Sequence, residues 1–198
     1  MYFMLDPDLL CLEKMMALIP RFTPPGSGLR IRITEEVPEN AGHGRLMRET
    51  MRYIRNLDFL RRFNECQNER KNDAVQYRGN RHRTLFKREL QKRKNPTAAM
   101  LCALYLLTAD CRLWAHVRSH VHAAGIQFQG VKLGELSPDA YTLYMTAKDL
   151  YCGTKHITIR DLADKNIVSA QMFELVCEAM TIRRYGTAAC KTEDGREE

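Results

Sequence analysis

The sequence predicts a mostly α-helical protein: a helical bundle with a central buried helix, plus an N-terminal arm that contains one short strand. Three observations carry this prediction. Residues 98–107 are apolar on every side, which is typical of a helix buried in a core. Cap residues and prolines mark the starts of several amphipathic helices around it. Only residues 29–34 alternate strictly between apolar and polar side chains, as a strand does.

The arm comprises residues 1–44. Asp, Pro and Asp at positions 6–8 open a first helix, because proline suits the first helical position and acidic side chains suit the first turn. A cluster of Pro and Gly at 24–28 separates this helix from the strand at 29–34. Three arrangements of this strand are open: it pairs with the chain near 127–133, it pairs with another subunit, or it remains an extended arm.

The net charge of +7 is concentrated in one segment. Residues 45–94 contain 16 basic and 6 acidic residues, a net charge of +10, whereas the remainder carries 15 basic and 18 acidic residues. This asymmetry favours a polyanion or an acidic protein surface as the partner. We therefore treat residues 45–95 as a separate basic helical segment in the predicted domain organisation.

Arginines recur at helical spacing in the first part of the basic segment. On one continuous helix from position 45 to 62 they would span about 26 Å and follow a phosphate backbone. A polar run and a second helix, at about 83–94, add further cations and a tyrosine that could stack on an unpaired base. The predicted binding residues are Arg45, Arg48, Arg52, Arg55, Arg62, Tyr77, Arg78, Arg81, Arg83 and Lys87.

A second interpretation of the basic segment is a solvated helix face. Its arginines would then pair with acidic side chains of the same segment, such as Glu49, Asp58, Glu65 and Glu69. Because these acids are too few to neutralise a charge of +10, both interpretations stay open.

Residues 96–186 form the predicted apolar core domain, followed by a flexible tail at 187–198. Asp110, Ser137 and Ser169 are expected to cap helices, and Thr158 with Asp161 resembles a capping box. The side chains expected to be mutually buried are Leu104, Tyr105, Leu107, Trp114, Val117, Phe173 and Val176.

Part of this domain resembles a known family. The stretches LYLLTADCRLW, YMTAKDLYCG and FELVCEAMTIRRYG, within residues 97–186, resemble an uncharacterised family of small helical proteins from prophages and integrative elements of Gram-positive gut bacteria. The matching corner is residues 108–114, and the matching late helix is residues 147–153. The resemblance implies an origin on a mobile element and carries no catalytic residue.

Several functional classes are not favoured by the sequence. The seven cysteines include no CxxC pair, so neither a disulfide framework nor a cysteine-rich zinc module is expected. His116 and His120 share a helix face, with His122 beside them, but no Glu follows His116 as in a metalloprotease. No acid–base pair stands at a useful spacing. We therefore expect that the protein binds no metal or cofactor and is not an enzyme.

No basic region precedes the apolar N-terminal stretch, which contains Asp6, Asp8 and Glu13, so we expect no secretory signal. The longest apolar run, residues 98–107, is about half of a membrane span. We expect a cytoplasmic protein without a membrane partner. Two functions remain. The first is a nucleic-acid-binding accessory protein of a phage or mobile element that contacts DNA or RNA through the basic segment. The alternative is an anti-defence, anti-CRISPR-like inhibitor or adaptor that binds a host protein or ribonucleoprotein complex.

Overall fold

The computed structural model describes residues 41–134 and 136–190, and this part of the chain is mostly α-helical, as predicted. Its only β-type pairing is an isolated bridge between Val121 and Ile126. The predicted first helix and the strand at 29–34 lie outside the described residues. The helices are α1 (His43–Met51), α2 (Leu57–Glu69), α3 (Asn80–Gln91), α4 (Ala98–Thr108), α5 (Cys111–Val117), α6 (Pro138–Cys152), α7 (Ile159–Ala163), α8 (Ala170–Tyr185) and α9 (Thr187–Cys190), and a 3-10 turn at Arg118–His120 follows α5.

Helix α4 is the central buried helix that the sequence predicts. Its apolar side chains leave no polar face, so α3, α5, α6 and α8 can pack around it. Thr97 caps its N-terminus by accepting a hydrogen bond from the Met100 amide at 3.2 Å. The predicted core is confirmed, because all seven of its side chains are buried: Leu104, Tyr105, Leu107, Trp114, Val117, Phe173 and Val176.

The predicted helix caps are confirmed as well. The Asp110 carboxylate accepts from two backbone amides at the start of α5, and the Ser137 and Ser169 hydroxyls accept at the starts of α6 and α8. Thr158 and Asp161 form a complete capping box. Each cap satisfies backbone donors that a helix leaves unpaired at its N-terminus.

The basic segment and the apolar segment share one hydrophobic core. Leu46, Phe59 and Phe86, from α1, α2 and α3, belong to the same buried cluster as α4 and α8. Helix α1 packs on α8, and α3 packs on α4. Residues 187–190, predicted as part of a flexible tail, instead form α9, and Ala189 is fully buried.

The prediction of one continuous, arginine-bearing helix from position 45 to 62 is wrong. Helix α1 ends at Met51 and α2 begins at Leu57, so Arg55 lies in the connection between them. The break follows from Asn56, which takes an extended conformation and accepts from the Phe59 amide at 2.8 Å. Asn followed two residues later by Asp58 is a helix-start signal, which could have been found in the sequence.

Candidate nucleic-acid interface

The predicted binding residues fall into several different environments. Arg45, Arg48, Arg52 and Arg55 are exposed on α1 and on the connection after it. The Arg52 guanidinium lies 3.6 Å from the Glu49 carboxylate, an exposed pair of the kind that contributes little to stability. These four cations therefore remain available to a partner, although they do not lie on one helix with Arg62.

Arg62 does not belong to any binding surface. Its side chain is 3% exposed, and its guanidinium lies 4.5 Å from the centre of the Phe173 ring. The guanidinium donates hydrogen bonds to three backbone carbonyls that surround the connection from α7 to α8: Leu162 at 2.7 Å, Asp164 at 3.3 Å and Val168 at 2.5 Å. The prediction that Arg62 contacts phosphate is thus wrong, because the residue fixes α2 to α7.

Tyr77 and Arg78 have structural contacts of their own. The Tyr77 ring packs against the rings of His82 and Tyr105, with centroid separations of 5.2 Å and 5.8 Å. Arg78 donates to the Asp110 carboxylate at 2.9 Å and to the Gln171 side chain at 3.1 Å. Stacking of a base on Tyr77 stays a prediction, and Arg78 is engaged at the start of α5.

A groove runs between α3 and α5. The α3 side is a stripe that recurs at helical spacing, with Arg81, Leu85 and Arg88 among its members. The facing stripe on α5 includes Trp114 and continues into Arg118 of the 3-10 turn. We call this the α3–α5 groove, and its lining residues are Asn80, Arg81, Thr84, Leu85, Arg88, Glu89, Lys92, Arg93, Cys111, Trp114, Ala115, Arg118, Ser119, Val121 and Ala123.

The groove consists of two adjoining cavities of about 520 Å³ and about 500 Å³. Arg88, Trp114 and Arg118 line both cavities, so these three residues stand where the halves meet. Both volumes lie within the range of small-molecule binding sites in proteins. From Arg81 to Lys92 the α3 side of the groove extends about 16 Å.

The lining of the groove is strongly cationic. Five of its side chains are basic, namely Arg81, Arg88, Lys92, Arg93 and Arg118, and one is acidic, Glu89.

Glu89 is buried, and its carboxylate is paired with neighbouring cations. It accepts from Lys92 at 2.7 Å and from the Arg93 guanidinium at 3.4 Å. Burial alone would raise the pKa of the Glu89 carboxyl, but these hydrogen bonds and charges outweigh it and lower the pKa. Glu89 therefore stays ionised and leaves the groove with a clear excess of positive charge.

The sequence pattern predicts only part of this surface. The predicted binding residues include Arg81 but not Arg88 or Arg118, and Trp114 is predicted only as a core residue. Arg83 and Lys87, which are also predicted to bind, lie on α3 outside the groove lining. The spacing of Arg81, Arg88 and Lys92 at seven and four residues was the available signal, whereas nothing in the local sequence ties Arg118 to α3.

A second polar cluster lies between α1, α2 and α8 and is centred on the fully buried side chains of His43 and Glu178. The Glu178 carboxylate lies 2.6 Å from Nε2 of His43 and 2.8 Å from the Arg70 guanidinium, and it accepts from the Gln76 amide at 3.2 Å. The other imidazole nitrogen of His43 faces the Ala189 carbonyl at 3.1 Å. These groups satisfy one another, so we assign the cluster to the fold and not to ligand binding.

The Gly42-His43-Gly44 start of α1 is filled by the chain itself. The Asp73 carboxylate lies 2.5 Å from the Gly44 amide, at the place where an anion would bind a helix N-terminus.

Asp149 and His156 form a further polar pair, at 2.7 Å. The buried Asp149 carboxylate also accepts from the Thr154 hydroxyl and from the amides of His156 and Ile157. It thereby fixes the loop that follows α6.

Among the described residues, no group of three His, Cys, Asp or Glu side chains is placed to hold a metal ion. Within positions 41–134 and 136–190, every helix is too short or too polar to cross a membrane. Comparison of the chain with protein-family models, with curated proteins and with solved structures finds no match.

Proposed function

We propose that this protein binds nucleic acid and that the α3–α5 groove holds the phosphate backbone. The observation that supports this proposal is the convergence of five basic side chains on one groove that contains a single carboxylate. Arg81 and Arg88 lie on α3, Lys92 and Arg93 directly follow it, and Arg118 lies in the 3-10 turn after α5. Guanidinium groups bind phosphate oxygens with two parallel donors, which suits arginine to this task. The exposed arginines of α1 do not line the groove.

The groove does not favour reading of base sequence. Its cations are suited to phosphate, whereas the one aromatic side chain in its lining, Trp114, is only 9% exposed. We therefore expect binding that tolerates sequence and weakens steeply with salt, because each neutralised phosphate releases counterions.

The test compares two charge-reversal variants that change the net charge equally. In the first, Arg88→Glu is combined with Arg118→Glu, at the centre of the groove. In the matched control, Arg61→Glu is combined with Arg112→Glu, which are exposed residues of α2 and α5 outside it. Fluorescence anisotropy with single-stranded DNA, duplex DNA and RNA measures the affinity of each variant.

We expect the groove variant to lose binding and the control variant to keep most of it. Equal losses in both variants would show that only the overall charge matters and would contradict a role for the groove. If the unmodified protein binds none of the three probes at low salt, the nucleic-acid proposal is wrong. The anti-defence inhibitor alternative would then be the one to pursue, and an origin on a mobile element and a cytoplasmic location stay predictions.

A further inference from the structure

We propose that the end of the α3–α5 groove beside Arg93 binds a terminal phosphate group of a nucleic-acid strand. This inference rests on the proposed nucleic-acid binding and adds a specific ligand group to it. It would make the protein selective for strand ends, in addition to its general affinity for phosphate backbones.

The first argument is the shape of this half of the groove. Its cavity of about 520 Å³ is bordered by three parts of the chain: the C-terminal end of α3, helix α5, and the turn that carries Ser119, Val121 and Ala123. The other half is bordered by α3 and α5 together with Arg118. The Arg93 half is thus the part of the groove that residues of this turn also line.

The second argument is an unpaired donor. The Arg93 side chain is 6% exposed, and its Nη1 donates to the backbone and side chain of Glu89. The Nε of Arg93 is buried and has no hydrogen-bond acceptor. A buried donor without an acceptor is unfavourable, and an oxyanion that accepts from this guanidinium after a small side-chain movement would remove that cost.

The third argument is the local charge. Arg88, Lys92, Arg93 and Arg118 line this half of the groove, against the one carboxylate of Glu89. A terminal phosphate carries about −1.5 to −2 charges near neutral pH and offers three strong acceptor oxygens. A phosphate within the chain carries one negative charge, so the terminal group matches this concentration of cations better.

The experiment uses three single-stranded oligonucleotides of identical sequence, with a 5′-hydroxyl, a 5′-phosphate or a 3′-phosphate end. Trp114 is the only tryptophan in the chain and lines both halves of the groove, so its fluorescence reports binding there. We expect one phosphorylated form to bind about tenfold more tightly than the hydroxyl form, as one added charge-assisted contact would give. Equal affinity for all three forms would overturn the inference.

Two variants and a control test the residues involved. Arg93→Lys keeps the charge but removes the unpaired Nε, and Lys92→Gln changes a side chain that is 58% exposed and is expected to leave the fold intact. Both variants should reduce the preference for a terminal phosphate, whereas Arg112→Gln should retain it. A preference that survives in a correctly folded Lys92→Gln and in Arg93→Lys would contradict the assignment to this end of the groove.

A titration with inorganic phosphate at constant ionic strength separates this inference from the proposed function. If phosphate changes the Trp114 emission but no oligonucleotide binds, the phosphate site is supported and nucleic-acid binding is contradicted. If oligonucleotides bind irrespective of their ends, the proposed function stands and this inference fails. If neither ligand has an effect, both are wrong.

Discussion

The α1–α2 region and the α3–α5 region are both rich in arginine, yet they use it differently. In α2 the guanidinium of Arg62 is buried against backbone carbonyls, and Arg70, just beyond its C-terminus, reaches the buried Glu178. By contrast, Arg81 and Arg88 on α3 and Arg118 in the 3-10 turn after α5 line a groove. The number of basic residues in a segment therefore does not determine how much positive charge is available to a partner.

The largest expected effect is in the buried cluster around Glu178. Glu178→Gln leaves the Arg70 guanidinium inside the protein without its carboxylate, so we expect the free energy of unfolding to fall by about 3–5 kcal/mol. Chemical denaturation monitored by circular dichroism measures the change. Glu65→Gln is the matched control, because it breaks an exposed pair with Lys165. If both substitutions are equally mild, the Glu178 cluster does not stabilise the fold.

The next effect concerns pH and the start of α3. His82 accepts from the Arg78 amide at 3.1 Å and donates to the Tyr105 carbonyl at 2.8 Å, which requires a neutral imidazole. Burial lowers the pKa of His82 to about 4 from its ordinary 6.5. Between pH 6.5 and about 4, His82 therefore binds a proton in the unfolded chain but stays neutral in the folded chain. This contribution to stability is complete above pH 6.5 and decreases by about 3 kcal/mol as the pH falls to about 4.

The matched variant for this pH dependence is His82→Gln. A glutamine side chain can also accept and donate one hydrogen bond each, but it does not titrate. Thermal denaturation across the pH range should show a smaller decline for the variant than for the unmodified protein. Identical declines would assign the pH dependence to other groups.

A smaller effect separates two neighbouring arginines of α2. Arg62→Ala leaves three backbone carbonyls without their donor and should lower the free energy of unfolding by about 2 kcal/mol or more. Arg61→Ala removes a side chain that is 71% exposed and should have almost no effect. Urea denaturation of both variants makes the comparison. An unchanged free energy of unfolding for Arg62→Ala would contradict the structural role assigned to Arg62.

The smallest effect is on the salt dependence of binding. Arg118→Ala removes one groove cation, so the slope of log affinity against log salt should decrease in magnitude by about 0.7 for a single strand. Arg112→Ala should leave the slope unchanged, because Arg112 is exposed on α5 but does not line the groove. The same measurement on Arg48→Ala shows whether the α1 surface also contacts phosphate. A change for Arg48→Ala alone would move the interface from the groove to α1.

Much of the fold could be predicted from single residues and their neighbours. The caps at Asp110, Ser137 and Ser169 depend on one side chain and the next three amides, so they are visible in the sequence. The break between α1 and α2 had the same kind of signal at Asn56, which the regular spacing of the arginines obscured. The burial of Arg62 also has a signal in the sequence, because Arg62 shares a helix face with Phe59, three residues earlier, which is fully buried.

The candidate binding surface is formed by residues that are far apart in the sequence. Periodicity, capping and composition act over a few residues, so the sequence is enough to predict a mostly helical chain, an all-apolar central helix and an excess of positive charge at 45–94. Which cations converge depends instead on how the helices pack. Helices α3 and α5 both pack on α4, and that packing places Arg88 and Arg118 on one groove. Another set of contacts between distant residues withdraws Arg62 and Arg70 into the interior, where their charges serve the fold.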